Sequence, residues 1–113
     1  MTDADFADVA DTSPVPVLLD LWAPWCGPCR TVSPALEGLA RDLAGRIKLV
    51  KVNVDAAPAL ARRFDVQAVP TLLVLRHGKP VARQTGAESQ PALRRWVEQA
   101  LEPQSMSAGS ATV

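Results

Sequence analysis

Apolar side chains gather along this chain into a few dense runs and a few helical stripes. Residues 15–22 (VPVLLDLW), 47–54 and 71–75 are nearly unbroken runs of branched and bulky residues, the pattern of strands covered on both faces. Residues 81–85 read as a fourth strand, joined to the third through Arg76-His77-Gly78-Lys79, a hairpin-type turn in which Gly78 supplies a positive φ. After a loop over residues 23–27, Val32, Ala35, Leu36, Leu39 and Leu43 recur at helical spacing. They predict a helix over about 28–44, with Gly45 as its stop. Pro34 falls inside that helix and removes the hydrogen bond to the Arg30 carbonyl, so a kink is expected. Leu60 and Phe64 mark a short helix after Asp55, and Leu93, Trp96, Val97, Ala100 and Leu101 line one face of a last helix capped by Ser89. At the front, residues 4–11 form a short polar helix candidate with Phe6, Val9 and Ala10 as its apolar contacts, ended by Pro14 and Pro16. The order predicts an α/β fold, a mixed sheet of about four strands flanked by helices on both faces. Residues 103–113 (PQSMSAGSATV) are small, polar and uncapped, and predict a disordered tail behind a domain over 1–102.

Composition narrows the function classes. A length of 113 residues with 48% hydrophobic side chains fits one packed domain. Twelve basic and twelve acidic residues argue against a nucleic-acid or anionic-membrane binder, which needs surplus Lys and Arg. Asp20 interrupts the longest apolar run, so no membrane span is expected. Asp3, Asp5, Asp8 and Asp11 with no base among them are the opposite of a secretory leader, and the expected location is the cytoplasm. Charge is uneven along the chain: residues 1–20 hold five of the acids and no base, leaving twelve bases against seven acids. Arg62 with Arg63, and Arg94 with Arg95, lie inside helical patterns and read as solvated faces, with steering of an acidic partner as the alternative.

The two cysteines carry the chemistry. With one distant histidine, His77, they cannot complete a four-ligand zinc site, and a structural disulfide would close too small a loop to remove much chain entropy. Cys26-Gly27-Pro28-Cys29 follows a strand and opens a helix, the setting of a redox dithiol in a reducing compartment. At the helix N-terminus, free N–H groups and the helix dipole stabilise a thiolate, which makes Cys26 the nucleophile. Cys29, one turn further in, is expected to be less accessible and suits the resolving role. Gly27 and Pro28 permit the tight turn, and Pro28 needs no donor there. Two inert thiols are the rival reading. Asp20 is the second anomaly: a carboxylate between Leu19 and Leu21 is expected to be buried with a raised pKa, the property a proton acceptor for the second thiol requires. Solvent exposure or a structural pairing is its alternative, with Lys51 as that partner or as a tuner of the proton transfer. His77 reads as a turn residue.

Together, Asp20-Leu-Trp-Ala-Pro-Trp-Cys-Gly-Pro-Cys29, Lys51-Val-Asn-Val-Asp55 and Val69-Pro-Thr71 closely resemble the thioredoxin family, over residues 4–101. The resemblance implies a protein disulfide reductase in which Cys26 attacks, Cys29 resolves, and Asp20 with Lys51 handles the proton. It assigns Trp25, Gly27, Pro28, Val69, Pro70 and Gly86 to the surface that meets the substrate. Pro70 is expected to be cis and to face the dithiol, Val69 to offer its backbone to an extended substrate segment, and Trp22 to be a buried neighbour of the loop. Trp96 is expected to be core. Implied partners are disulfide-containing proteins and a flavin- and NADPH-dependent thioredoxin reductase, with no cofactor, metal, nucleic acid or membrane bound by the chain itself. A disulfide oxidant or isomerase of the same fold, and a non-redox binding module, are the alternatives. The sequence departs from the family pattern in two places. Only Met1, Thr2 and Asp3 precede the first helix, where members usually begin with a strand; strand 47–54 is then expected at a sheet edge, giving a monomer of lowered stability or one that associates along that edge. Arg30 stands where many members have Lys, which keeps the charge.

Overall fold

The structure, a computed structural model, describes residues 6–102. Four strands, β1 (Val17–Trp22), β2 (Lys48–Asn53), β3 (Thr71–Arg76) and β4 (Lys79–Thr85), form one sheet in the order β2-β1-β3-β4. β1 pairs parallel with β2 and antiparallel with β3, and β4 returns antiparallel along β3. Three helices, α1 (Gly27–Asp42), α2 (Pro58–Arg63) and α3 (Gln90–Leu101), cover it.

The two-residue period of a strand divides the core into two layers. Val17, Leu19, Leu21, Val50, Val52, Leu73 and Leu75 point to one face, where Phe6, Leu60 and Phe64 close over them. Leu18, Leu72 and Val74 point to the other, against Val32, Leu36 and Leu39 of α1 and Leu93 and Val97 of α3. Asp20 is in phase with Leu18, and Lys51 with Leu49, so both side chains belong to the α1 layer. Helices therefore lie on both faces of a mixed sheet, as the pattern predicts. Trp96 packs against the α1–α3 layer. β2 is an edge strand among the described residues, with Lys48 exposed along it.

Several boundaries differ from the sequence expectation. The front segment is a π-helical turn over Ala7–Asp11; residues 1–5 and the expected tail over 103–113 lie outside the described residues. α1 starts one residue earlier and ends at Asp42, and Gly45, with φ +87°, follows a short turn rather than stopping the helix directly. Arg63 is more than a solvated charge. Its guanidinium stacks 5.4 Å from the Phe6 ring centroid and 4.8 Å from that of Phe64, while Nη2 donates to Asp11 Oδ1 and to the Gly78 carbonyl at 3.0 Å. Arg94 bridges Asp42 and Glu98.

The hairpin turn is two residues long, because Arg76 and Lys79 pair in the ladder. His77 and Gly78 both take positive φ, 53° and 80°, the signature of a primed turn that matches strand twist. At Gly78 a Cβ would also run into the Asp11 carboxylate. Gly78→Ala is therefore expected to lower stability by roughly 1–2 kcal/mol, read as a shifted urea midpoint with an unchanged m-value.

Candidate active site

The loop after β1 delivers Cys26 to the N-cap of α1 in extended conformation (φ −93°), with Pro28 in the first turn. Cys26 Sγ accepts the backbone N–H of Cys29 at 3.1 Å, so the sulfur itself caps the helix. The two cysteines form a disulfide, with Cα atoms 5.3 Å apart. Both are 4% exposed, so accessibility does not separate them as expected. Direction does. Cys26 Sγ lies 3.7 Å from the Val69 carbonyl oxygen, whereas Cys29 lines an inner cavity together with Asp20, Trp22, Arg30, Ser33 and Lys51.

That cavity encloses about 170 Å³. Asp20 sits in it only 2% exposed, and no donor reaches its Oδ1. Burial raises the Asp20 carboxyl from its ordinary 3.8 to about 6, with the nearby Lys51 charge acting in the opposite direction. Lys51, register partner of Asp20, sends its ammonium elsewhere: Nζ donates to Ser33 Oγ at 2.7 Å and to Glu37 Oε2. Trp22 is half-buried rather than buried.

On the outer side, Trp25 is 70% exposed. Its ring is not loose, since Nε1 donates to Asp55 Oδ2 at 3.0 Å. Arg30 donates to the Pro24 carbonyl at 2.6 Å and holds the same loop from the helix side. Trp25, Val54, Pro58, Ala61, Val66 and Val69 line an open, mostly apolar hollow beside Cys26, with Arg62 and Gln67 also on its wall. The Val69-Pro70 bond is cis, and the Pro70 carbonyl accepts the N–H of Gly86, which has φ +87°. Gly27 and Pro28 are exposed at the helix start, and His77 lies in the β3–β4 turn. The structure thus brings together Trp25, Cys26, Cys29, Asp20 and Lys51 around one helix end, with the Val69 carbonyl beside the Cys26 sulfur and the cis Pro70 next along the chain.

Three neighbours escaped the sequence reading. Asp55 was visible inside the Lys51 motif without a partner. Ser33 and Glu37 fall four and eight residues after Cys29, one face of one helix, a spacing that could have exposed them. Among the described residues, no group of three His, Cys, Asp or Glu side chains could hold a metal ion, and no helix is long and apolar enough to cross a membrane.

A family model described as Thioredoxin matches residues 1–99. The chain is 46% identical over 99 residues to thioredoxin of Haemophilus influenzae, covering 88% of this chain and 92% of that protein. To thioredoxin of Mycobacterium tuberculosis it is 45% identical over 95 residues, 84% of this chain and 82% of the other. It is also 44% identical over 96 residues to the bifunctional thioredoxin reductase/thioredoxin of Mycobacterium leprae, covering 84% of this chain and 21% of that protein. With a helix-capping dithiol and this match along its length, the chain belongs to the thioredoxin family and is a protein-disulfide reductase.

Proposed function

We propose that the chain reduces disulfides of target proteins in the cytoplasm, with Cys26 as attacking thiol, Cys29 as resolving thiol and Asp20 as the group that exchanges the Cys29 proton. The observation that carries this reading is the asymmetry of the dithiol: one sulfur beside the Val69 carbonyl, the other on the Asp20 cavity. In the reduced protein, the Cys29 N–H and the end of α1 favour a thiolate on Cys26. That thiolate attacks one sulfur of the target disulfide, and the other target sulfur departs as thiolate, leaving a mixed disulfide. Cys29, giving its proton to Asp20, attacks Cys26 Sγ and expels the second target thiolate. Two electrons and two protons pass to the target, and the chain is left as the Cys26–Cys29 disulfide.

The Val69 carbonyl beside the Cys26 sulfur would offer its backbone to an incoming strand-like segment, and Trp25, Gly27, Pro28, Pro70 and Gly86 would border it. Re-reduction belongs to a thioredoxin reductase, a reading supported by the relative that is named for both activities. The cytoplasm suits a dithiol that must be returned to the reduced state.

Cys29→Ser is expected to trap target proteins as mixed disulfides on Cys26, visible as adducts on non-reducing gels and released by dithiothreitol. The double variant lacking both thiols should trap none. Normal insulin turnover by Cys29→Ser would refute the resolving role.

A further inference from the structure

Cys29, Ser33 and Glu37 lie four residues apart on α1, so their side chains follow one another along one stripe of the helix, from the dithiol outward. Lys51 of β2 runs beside that stripe. Its ammonium donates to Ser33 Oγ and to Glu37 Oε2, and Ser33 Oγ donates to Glu37 Oε2 at 3.4 Å. Among the described residues, Lys51 is the cation whose field acts on Asp20, and it spends its hydrogen bonds on α1. Asp20 Oδ1, at the paired register position, receives none.

The Lys51–Glu37 pair is partly solvated, its side chains 33% and 50% exposed, and such pairs contribute little to stability. Its location has another consequence. An ammonium bonded to a buried carboxylate holds it ionised; the same ammonium held toward solvent acts only through a weaker, screened field. Other groups facing Asp20 cannot take over this role. Trp22 and Leu72 offer it no charge, Cys29 is its proposed proton donor, and the Arg30 guanidinium is bound to the Pro24 carbonyl. The hydrogen bond and charge of Lys51 hold the Glu37 carboxyl below its ordinary 4.5, so Glu37 stays ionised where Asp20 titrates.

We propose that Glu37, with Ser33 beside it, is a positioning residue that draws the Lys51 ammonium away from Asp20 and so keeps the Asp20 carboxyl able to accept and return a proton near neutral pH. The inference builds on the reading of Asp20 as proton acceptor, and the test separates the two.

Titration of the Asp20 carboxyl by ¹³C NMR in the full oxidised chain is the direct measurement. Glu37→Gln should lower its midpoint by roughly one pH unit, because the freed ammonium reaches Asp20. Ser33→Ala should lower it by less. Lys51→Met should raise it, and Glu37→Gln added to Lys51→Met should move it hardly further, since the field of an exposed carboxylate is screened by solvent. An unmoved midpoint in Glu37→Gln, or an equal fall with Lys51 removed, overturns the inference. Glu37 is half exposed, so its replacement does not threaten folding. The pH profile of insulin reduction is recorded in parallel. If the Asp20 midpoint falls in Glu37→Gln while that profile stays in place, the positioning role holds and the reading of Asp20 as proton acceptor fails.

Discussion

Cys26→Ser is expected to abolish insulin reduction, with a loss in kcat/KM of at least ~10³-fold at pH 7. The reason is chemical at two levels. A hydroxyl is not ionised at this pH, whereas a thiol beside an N–H donor at a helix end is ready to be. A sulfur–oxygen bond is also no substitute for the disulfide that stores the two electrons taken from the dithiol. Serine nonetheless suits the position structurally, since it is among the preferred N-cap residues and its oxygen would accept the Cys29 N–H. The reduced variant should therefore melt within about 1 kcal/mol of the reduced wild type, a difference typical of a cap-for-cap exchange. Insulin turbidity and thermal melts together check both halves. Insulin reduction that persists in a folded Cys26→Ser chain would remove Cys26 as the attacking thiol.

How much of this was legible in the sequence follows from where each signal sits. β1 and β3 were readable as strands because their residues are apolar on both faces. That same uniformity hid their phase. Only the placement of α1 against Leu18 and Leu72 shows that Asp20 points toward Cys29. Asp20 itself stood out because a single charge broke an apolar run. β4 was harder: it is an edge strand, mostly exposed, so its pattern is weak and its first residues, Lys79 and Pro80, resemble loop. The pattern therefore makes the turn look two residues longer than it is, and the positive φ of His77 is hidden beside a glycine that advertises its own. Arg63 looked like a surface charge because its partners, Phe6, Asp11 and Gly78, are distant in sequence. Ser33 and Glu37 looked like ordinary polar positions of an amphipathic helix. They acquire meaning only when the sheet register brings Lys51 within 2.7 Å of Ser33. The cis state of the Val69-Pro70 bond came from family resemblance, since few X–Pro bonds are cis and nothing local marks this one.

Asp20→Asn should make the protein more stable in alkaline solution and a poorer reductant. In the folded chain the carboxyl titrates near 6, against 3.8 for the ordinary group, which corresponds to roughly 3 kcal/mol. The sign follows from proton counts. Below about 3.8 both folded and unfolded chains carry the proton, and Asp20 exerts no pH-dependent penalty. Between about 3.8 and 6 only the folded chain holds it, so this group makes stability fall as pH rises. Above about 6 both states are ionised and the full penalty of a charged carboxylate in an apolar cavity remains. The neutral amide has no such slope. Relative to wild type, Asp20→Asn should gain up to about 3 kcal/mol at pH 8, several degrees in Tm or more, with the gain shrinking steadily toward pH 4. The amide still places unsatisfied polar atoms in the cavity, so the diagnostic is the difference between the two pH values rather than the gain at either. An equal offset at pH 4 and pH 8 would show that Asp20 is not buried as a charge. The stabilisation comes with loss of the proposed proton acceptor next to Cys29. Resolution of the mixed disulfide should slow by about 10²-fold near neutral pH, at the low end of what a positioned base contributes. Hydroxide supplies the missing base, so that deficit should narrow as pH rises, even as the stability gain reaches its maximum. If Asp20 accepts the Cys29 proton as proposed, the buried carboxylate that weakens the fold is also the group that speeds resolution, and the two effects separate along the pH axis.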